Sequence, residues 1–403
     1  MRTLSGTFGA RHRFVAACSR YVLLAGLLLP APASAGEQDN AAGKPADGEG
    51  APPAPLQRPA DQAEHAARWN FSAEAILLER LGGVDRTLVS RVPGSVPFLT
   101  QTPPFYNTAT VPGAEAFNSD QFRQGFSAGP KLSLTYHDDS GYAVELSYFN
   151  IFDQTATKAV GPGNPTDWLV MKAPGAFWQT QDFPNQAMVW KATTSLYSAE
   201  ANVRRDLSGR ATILVGLRWL QLNDGLEGTL APADLAVPTW KQNCPSANLF
   251  QVLACTPPGG QTQNYPPFWT TSVTNNLYGV QVGVDGKILE LGRFSLDGTL
   301  KIGLFDNDTR QSTEVSLQKQ VYPSSAATNH ATFASEAGLQ AKCQLTKGLA
   351  LKAGYQALWL DGVALAPGQI QETLTTTSVR ALGVNRKSNV LFQGATFGLE
   401  YAF

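Results

Sequence analysis

After residue 35, no run of eighteen uncharged apolar residues occurs, so no later helix is written to span a bilayer. Residues for metal and redox chemistry are scarce, with four cysteines and four histidines in the whole chain. No Gly-x-Ser-x-Gly, phosphate-cradling glycine loop or Cys-x-x-Cys is present. An excess of one charge is missing too. Thirty-one Lys and Arg face 32 Asp and Glu, a net charge of -1, which leaves no electrostatic footprint for nucleic acid. These absences lead us to expect no catalytic residue, no cofactor, no metal and no nucleic-acid partner.

The N-terminal residues carry an address. Arg2, Arg11, Arg13 and Arg20 precede YVLLAGLLLP and then APASA. That is a basic region, a short apolar core and an Ala-x-Ala cleavage site, so 1–35 reads as a secretory signal peptide. Residues 36–66 are rich in Ala, Pro, Gly and charge and lack aromatics. Such a leader buries too little apolar surface to offset its ordering entropy, and it reads as disordered. In the oxidising compartment implied by export, Cys244 and Cys255 could form a loop disulfide; two free thiols are the alternative.

From residue 67 onward the signal is alternation with period two. Ten segments read as strands: 69–80, 122–136, 142–153, 194–205, 211–222, 275–286, 293–305, 331–345, 349–360 and 390–403. The connections between them alternate. Long ones (81–121, 154–193, 223–274, 306–330, 361–389) are interleaved with short ones such as HDDSG, DLSGR and TKG. Tight turns at one end and long loops at the other describe an up-and-down transmembrane β-barrel of the bacterial outer membrane. The expected fold is therefore all-β: an antiparallel barrel over 67–403 with about ten strands, eight or twelve being the alternatives.

The two faces of each strand differ in charge. One phase holds Leu132 and Leu134, Val144 and Leu146, Val215 and Leu217, and Val280 and Val282. The other holds Glu74, Lys131, Glu145, Glu200, Arg204, Arg218, Asp285, Asp297, Lys301, Glu336, Lys342, Lys352 and Glu400. A midplane Arg or Lys facing lipid costs about 2–4 kcal/mol, so a lipid-facing phase excludes charge. Aromatics fall where interfaces would lie: Tyr148, Tyr197, Trp219 and Trp359 at one level, Trp69, Tyr136, Tyr142, Tyr401 and Phe403 at the other. Pro130 is a difficulty, because it forfeits a ladder hydrogen bond and calls for a bulge or a later strand start.

The inward charges are the nearest thing to a functional site, seven acidic and six basic. Near-balance argues against a strongly ion-selective pore. Two readings stay open: a narrow, weakly selective pore for small solutes, and a scaffold with a side-chain-filled lumen that presents loops for structural or adhesive roles. A third, distant reading is a rim-site hydrolase using Asp306, Asp308 and His330.

LYSAEANVRRDL followed by ILVGLRWLQLNDGL carries Glu200, Asn202 and Arg204, then Gly216, Arg218, Trp219 and Leu220. LKAGYQALWLDGVALAPGQI carries Gly354, Tyr355, Trp359, Asp361, Gly362 and Pro367. These blocks resemble an outer-membrane β-barrel family of the planctomycete type, related to pore-forming outer-membrane proteins of proteobacteria. The resemblance implies a barrel in the bacterial outer membrane and no particular ligand. Thr396, Gly398, Tyr401 and Phe403 likewise resemble the C-terminal signal read by the outer-membrane assembly machinery. That machinery, outer-membrane lipid and lipopolysaccharide are the expected partners; the partner of the loops is unknown.

Overall fold

A computed structural model describes residues 68–92, 114–171 except 162 and 165, 183–230 except 186, 268–317, 320–370 and 383–403. The signal peptide 1–35, the whole of the leader 36–66, residue 67 and the Cys244–Cys255 pair lie outside these residues. Among the described residues fourteen strands follow in chain order. They are β1 (Trp69–Leu81), β2 (Thr87–Val92), β3 (Ala114–Asn118), β4 (Ser127–His137), β5 (Tyr142–Val160), β6 (Trp168–Met171) and β7 (Phe183–Asn185). Then come β8 (Met188–Ser208), β9 (Ala211–Leu230), β10 (Phe268–Leu291), β11 (Phe294–Leu317), β12 (Gln320–Gln344), β13 (Leu349–Val363) and β14 (Ser388–Ala402).

Ten of them close an antiparallel barrel in the order β1-β14-β13-β12-β11-β10-β9-β8-β5-β4. Every neighbour is antiparallel, and β1 pairs with both β14 and β4, so no edge remains open. The seam runs from Asn70 opposite Ala402 to Leu81 opposite Leu391. Phe403 extends it, donating its N–H to the Trp69 carbonyl at 2.9 Å and accepting from the Trp69 N–H at 3.0 Å.

Each of the ten expected segments lies on a barrel strand, but the boundaries move. The segment expected from 122 starts at Ser127, after a 3-10 turn at Ser119–Gln121. The β4–β5 register begins at Lys131, which leaves Pro130 just beyond the end of that ladder. At the long-loop end several strands continue well past the expected limits, and β12 reaches 25 residues. Two of the long connections also contain strands of their own. β2 and β3, with β6 and β7, form a four-stranded sheet in the order β3-β2-β6-β7.

The outer wall has two zones. On β11 the outward positions run Phe294, Leu296, Leu300, Ile302 and Leu304, then change to Asp306, Asp308 and Arg310. The apolar stretch Phe294–Leu304 is eleven residues, about 36 Å along the strand at ~3.3 Å per residue. A strand tilt of about 40° brings that to ~28 Å of height, close to the ~25 Å apolar band of outer-membrane barrels. Leu217 is 65% exposed and Leu304 60% exposed within this belt. A continuous exposed surface of such residues is unsuited to water and suited to lipid. Trp69 stacks beside Tyr136 at 4.8 Å at the short-turn rim, and Phe333 meets Trp359 edge-on at 6.0 Å at the upper limit of the belt. Above it the wall stands clear of the apolar zone.

Candidate functional site: the filled lumen

Consider β9 along its inward positions from the short-turn end: Arg218, Leu220, Leu222, Asp224, Leu226. These five residues sample four layers that fill the barrel.

The lowest layer is charged. All thirteen inward charges point into it. Arg218 lies between Glu200 at 3.3 Å and Glu336 at 2.8 Å, and Lys301 approaches the same carboxylates at 2.8 and 4.0 Å. Arg204 joins Glu145 to Asp285, the latter at 2.5 Å, and Thr299 donates to Asp285 at 2.7 Å. Across the lumen, Lys352 reaches Glu74 at 2.8 Å and Glu400 at 3.4 Å. Lys342 reaches Glu400 at 3.3 Å and Asp297 at 3.8 Å. Lys131 differs: its ammonium donates to the Gln356 side chain at 2.8 Å. Asn202 and Gln281 complete the mesh, each donating to Glu200. Twelve of the thirteen charges thus sit in ion pairs. Hydrogen bonds from Asn202, Gln281, Thr299 and Gln340 supplement the ion pairs at Glu145, Glu200, Asp285 and Glu74, as a buried ionic cluster requires.

The layer above is apolar and spans the cross-section. Ile76 and Leu78 of β1 meet Phe149 and Ile151 of β5, Leu196 of β8 and Leu220 and Leu222 of β9. Leu277, Phe305, Leu358, Leu360, Val390 and Phe392 close the ring from the other strands. Among the described residues these side chains are buried to 4% exposure or less.

Into this layer folds the segment that follows β13. Gly362, with φ +82°, sits at a break in the β13–β14 register and turns the chain inward, a conformation that favours glycine. Its carbonyl accepts from Thr332 at 3.3 Å and lies 2.6 Å from the His330 ring nitrogen. Residues 363–370 then run across the lumen, all of them buried. Asn275 of β10 holds Ala364 at two points, accepting its N–H at 2.9 Å and donating to its carbonyl at 2.8 Å. Asp224 of β9 accepts the Ala366 N–H at 2.7 Å and is itself fixed by Arg80 at 2.5 Å and Thr194 at 2.8 Å. On the return, Asn385 and Gln369 bond reciprocally, with the Asn385 N–H donating to the Gln369 side chain at 2.9 Å. The segment therefore bridges from β13 to strands three and four places round the barrel.

A second apolar core caps the long-loop end. Leu88 and Val89 of β2, Phe117 of β3 and Leu169 of β6 pack with Met188, Trp190, Leu226, Trp269 and Val273 of the barrel. Ala364, Ala366 and Ile370 of the inward segment join this core. The small sheet is thus a lid packed on the upper lumen.

The expected rim constellation does not assemble. Asp306 and Asp308 face outward, whereas His330 faces inward and serves the Gly362 carbonyl. Among the described residues no group of His, Cys, Asp and Glu could hold a metal. Thr396 and Gly398 point into the lumen; Tyr401 and Phe403 stack outside at 5.8 Å. Gly398 is fixed by packing, since a Cβ there would stand 2.2 Å from the Ala73 carbonyl oxygen.

No protein-family model matches the chain, and neither does any curated protein. Solved structures similar to it are outer-membrane proteins. The outer membrane protease OmpT from Escherichia coli is 8% identical, over 84% of this chain and 98% of that one, with a TM-score of 0.44. The translocator domain of the autotransporter NalP from Neisseria meningitidis is 10% identical, over 83% and 89%, with a TM-score of 0.33. The Pseudomonas putida toluene transporter TodX is 10% identical, over 83% and 89%, with a TM-score of 0.30. The barrel assignment stands on the closed ladder of the chain itself.

Proposed function

We propose that the chain is a bacterial outer-membrane protein whose barrel is closed to solutes and serves as a scaffold for its extracellular end. The observation that carries this reading is the apolar layer with residues 363–370 laid through it. A hydrated path for sugars or ions would have to cross that layer, which has no charged member. The exposed apolar belt and its aromatic rims support the membrane placement, with the long-loop end outside and the short turns in the periplasm. A signal peptide at 1–35, and assembly through the signal carried by Thr396, Gly398, Tyr401 and Phe403, belong to the same reading. So does the resemblance to the planctomycete-type family, whose block ending VALAPGQI coincides with the inward segment. One observation favours a narrow pore instead: the lower lumen is lined with charge, as a polar channel would be.

Liposome swelling separates the two. Vesicles carrying the wild-type protein should exclude pentose-sized sugars. Replacing residues 363–370 with a short Gly-Ser link should raise the flux. Uptake by the wild type at rates matching an open porin would overturn the scaffold reading.

A further inference from the structure

Above the belt, the outer face of β8, β9 and β10 has an unusual composition. Beyond Tyr197 the outward positions of β8 are Ser195, Thr193 and Lys191. Beyond Trp219 those of β9 are Gln221, Asn223, Gly225 and Glu227. Beyond Tyr278 those of β10 are Asn276, Thr274, Ser272 and Thr270. A cleft of about 240 Å³ opens in this face. Its outward lining is polar throughout, and includes Asp153, Lys191, Thr193, Asn223, Glu227 and Ser272. At Gly225 the Thr193 hydroxyl covers the floor, 2.6 Å from where a Cβ would stand. Asp153 reaches the cleft from the irregularity in β5 between Ile151 and Gln154. Lys191 lies directly across the ladder from Glu227, so the cleft carries both signs of charge.

We propose that this cleft binds the sugar headgroup of an outer-leaflet glycolipid. Four features select that ligand. An acyl chain is excluded, because no outward apolar side chain lines the cleft. A bare phosphate is disfavoured, because two carboxylates face one lysine. Hydroxyl, amide and carboxylate groups together suit a ligand that presents many hydroxyls, each both donor and acceptor. Height supplies the fourth feature. Ser195 lies two residues beyond Tyr197, and Glu227 eight beyond Trp219, so the cleft sits about 7–26 Å along the strands past the aromatic ring at ~3.3 Å per residue, or ~5–20 Å of height at a tilt of about 40°. Headgroup sugars of the outer leaflet occupy that zone. The inference rests on the membrane placement proposed above, but not on the lumen being closed.

The test uses the full-length protein, delipidated in detergent, and deacylated, dephosphorylated lipopolysaccharide oligosaccharide as the probe in isothermal titration. The wild type should bind it. The double variant Lys191→Ala/Asn223→Leu should bind at least tenfold more weakly, while Asn329→Leu, on the outer face of β12 and two strands from the cleft, should bind as the wild type does. Absence of oligosaccharide binding overturns the proposal, as does binding that survives the double variant. Uptake of intact lipopolysaccharide without binding of the deacylated form overturns it too, by assigning recognition to the acyl chains. Cell fractionation of the same variants reports the membrane placement separately, so the two failures are distinguishable.

Discussion

Replacing Arg218 with Met should be among the most damaging single changes in the lower lumen. Its side chain is 2% exposed and stands between two carboxylates that are themselves 4% and 8% exposed. Removing it does not affect them equally. Glu200 keeps Lys301 at 2.8 Å, together with Gln281 and Asn202. Glu336 loses its 2.8 Å partner and keeps Lys301 only at 4.0 Å. The Arg218→Met loss is therefore mainly that of one buried, uncompensated carboxylate, about 3–5 kcal/mol. Neutralising that carboxylate should relieve it: in Arg218→Met/Glu336→Gln we expect the loss to fall to about 1–2 kcal/mol, because apolar or neutral replacements of buried ion pairs are often tolerated. The assay is reversible denaturant unfolding in lipid vesicles, followed by tryptophan fluorescence and gel mobility. A cost below ~1 kcal/mol for the single variant, or a double variant no more stable than the single, would refute the assignment of Glu336 to Arg218.

Three further outcomes follow from the same geometry. Asn275→Ala should cost about 1–3 kcal/mol by unpairing the buried Ala364 amide, and limited proteolysis should then cut near residue 364; an unchanged digestion pattern would count against the two-point anchor. Leu217→Arg should cost about 2–4 kcal/mol in vesicles while Gln221→Arg, two positions past Trp219, should cost under about 1 kcal/mol; equal costs would misplace the upper edge of the belt. Deleting Phe403 removes the backbone pair with Trp69 and should lower assembled yield in cells several-fold; normal yield would sink the assembly-signal reading.

The membrane-height part of every barrel strand was legible because its two faces meet different surroundings. Val280 and Val282 alternate with Gln281 and Gly283 because one side meets the apolar belt and the other the lumen. Above the belt that contrast fades. On β10 the run Thr270 to Thr274 places Thr and Ser outside and Thr271 and Val273 inside, so period-two alternation no longer marks the strand. The lid strands were illegible for another reason: β7 has three residues and β6 four, too few to show a period. The thirteen inward charges could be found by phase, but their partners could not. Lys301 and Glu200 are 101 residues apart in sequence and meet only because β11 and β8, three places apart round the barrel, both point them into the lumen. The inward segment was visible as the block DGVALAPGQI without its direction. Its course depends on Asn275 and Asp224, 89 and 142 residues away from the amides they hold.

In the proposed function, the apolar layer and residues 363–370 close the barrel. Single-channel recording of the wild-type protein in planar bilayers, over a wide range of salt and voltage, is the sharpest test of that closure. A silent bilayer is expected once insertion has been verified by recovery of folded protein. Reproducible stepwise conductance from that same preparation would contradict it.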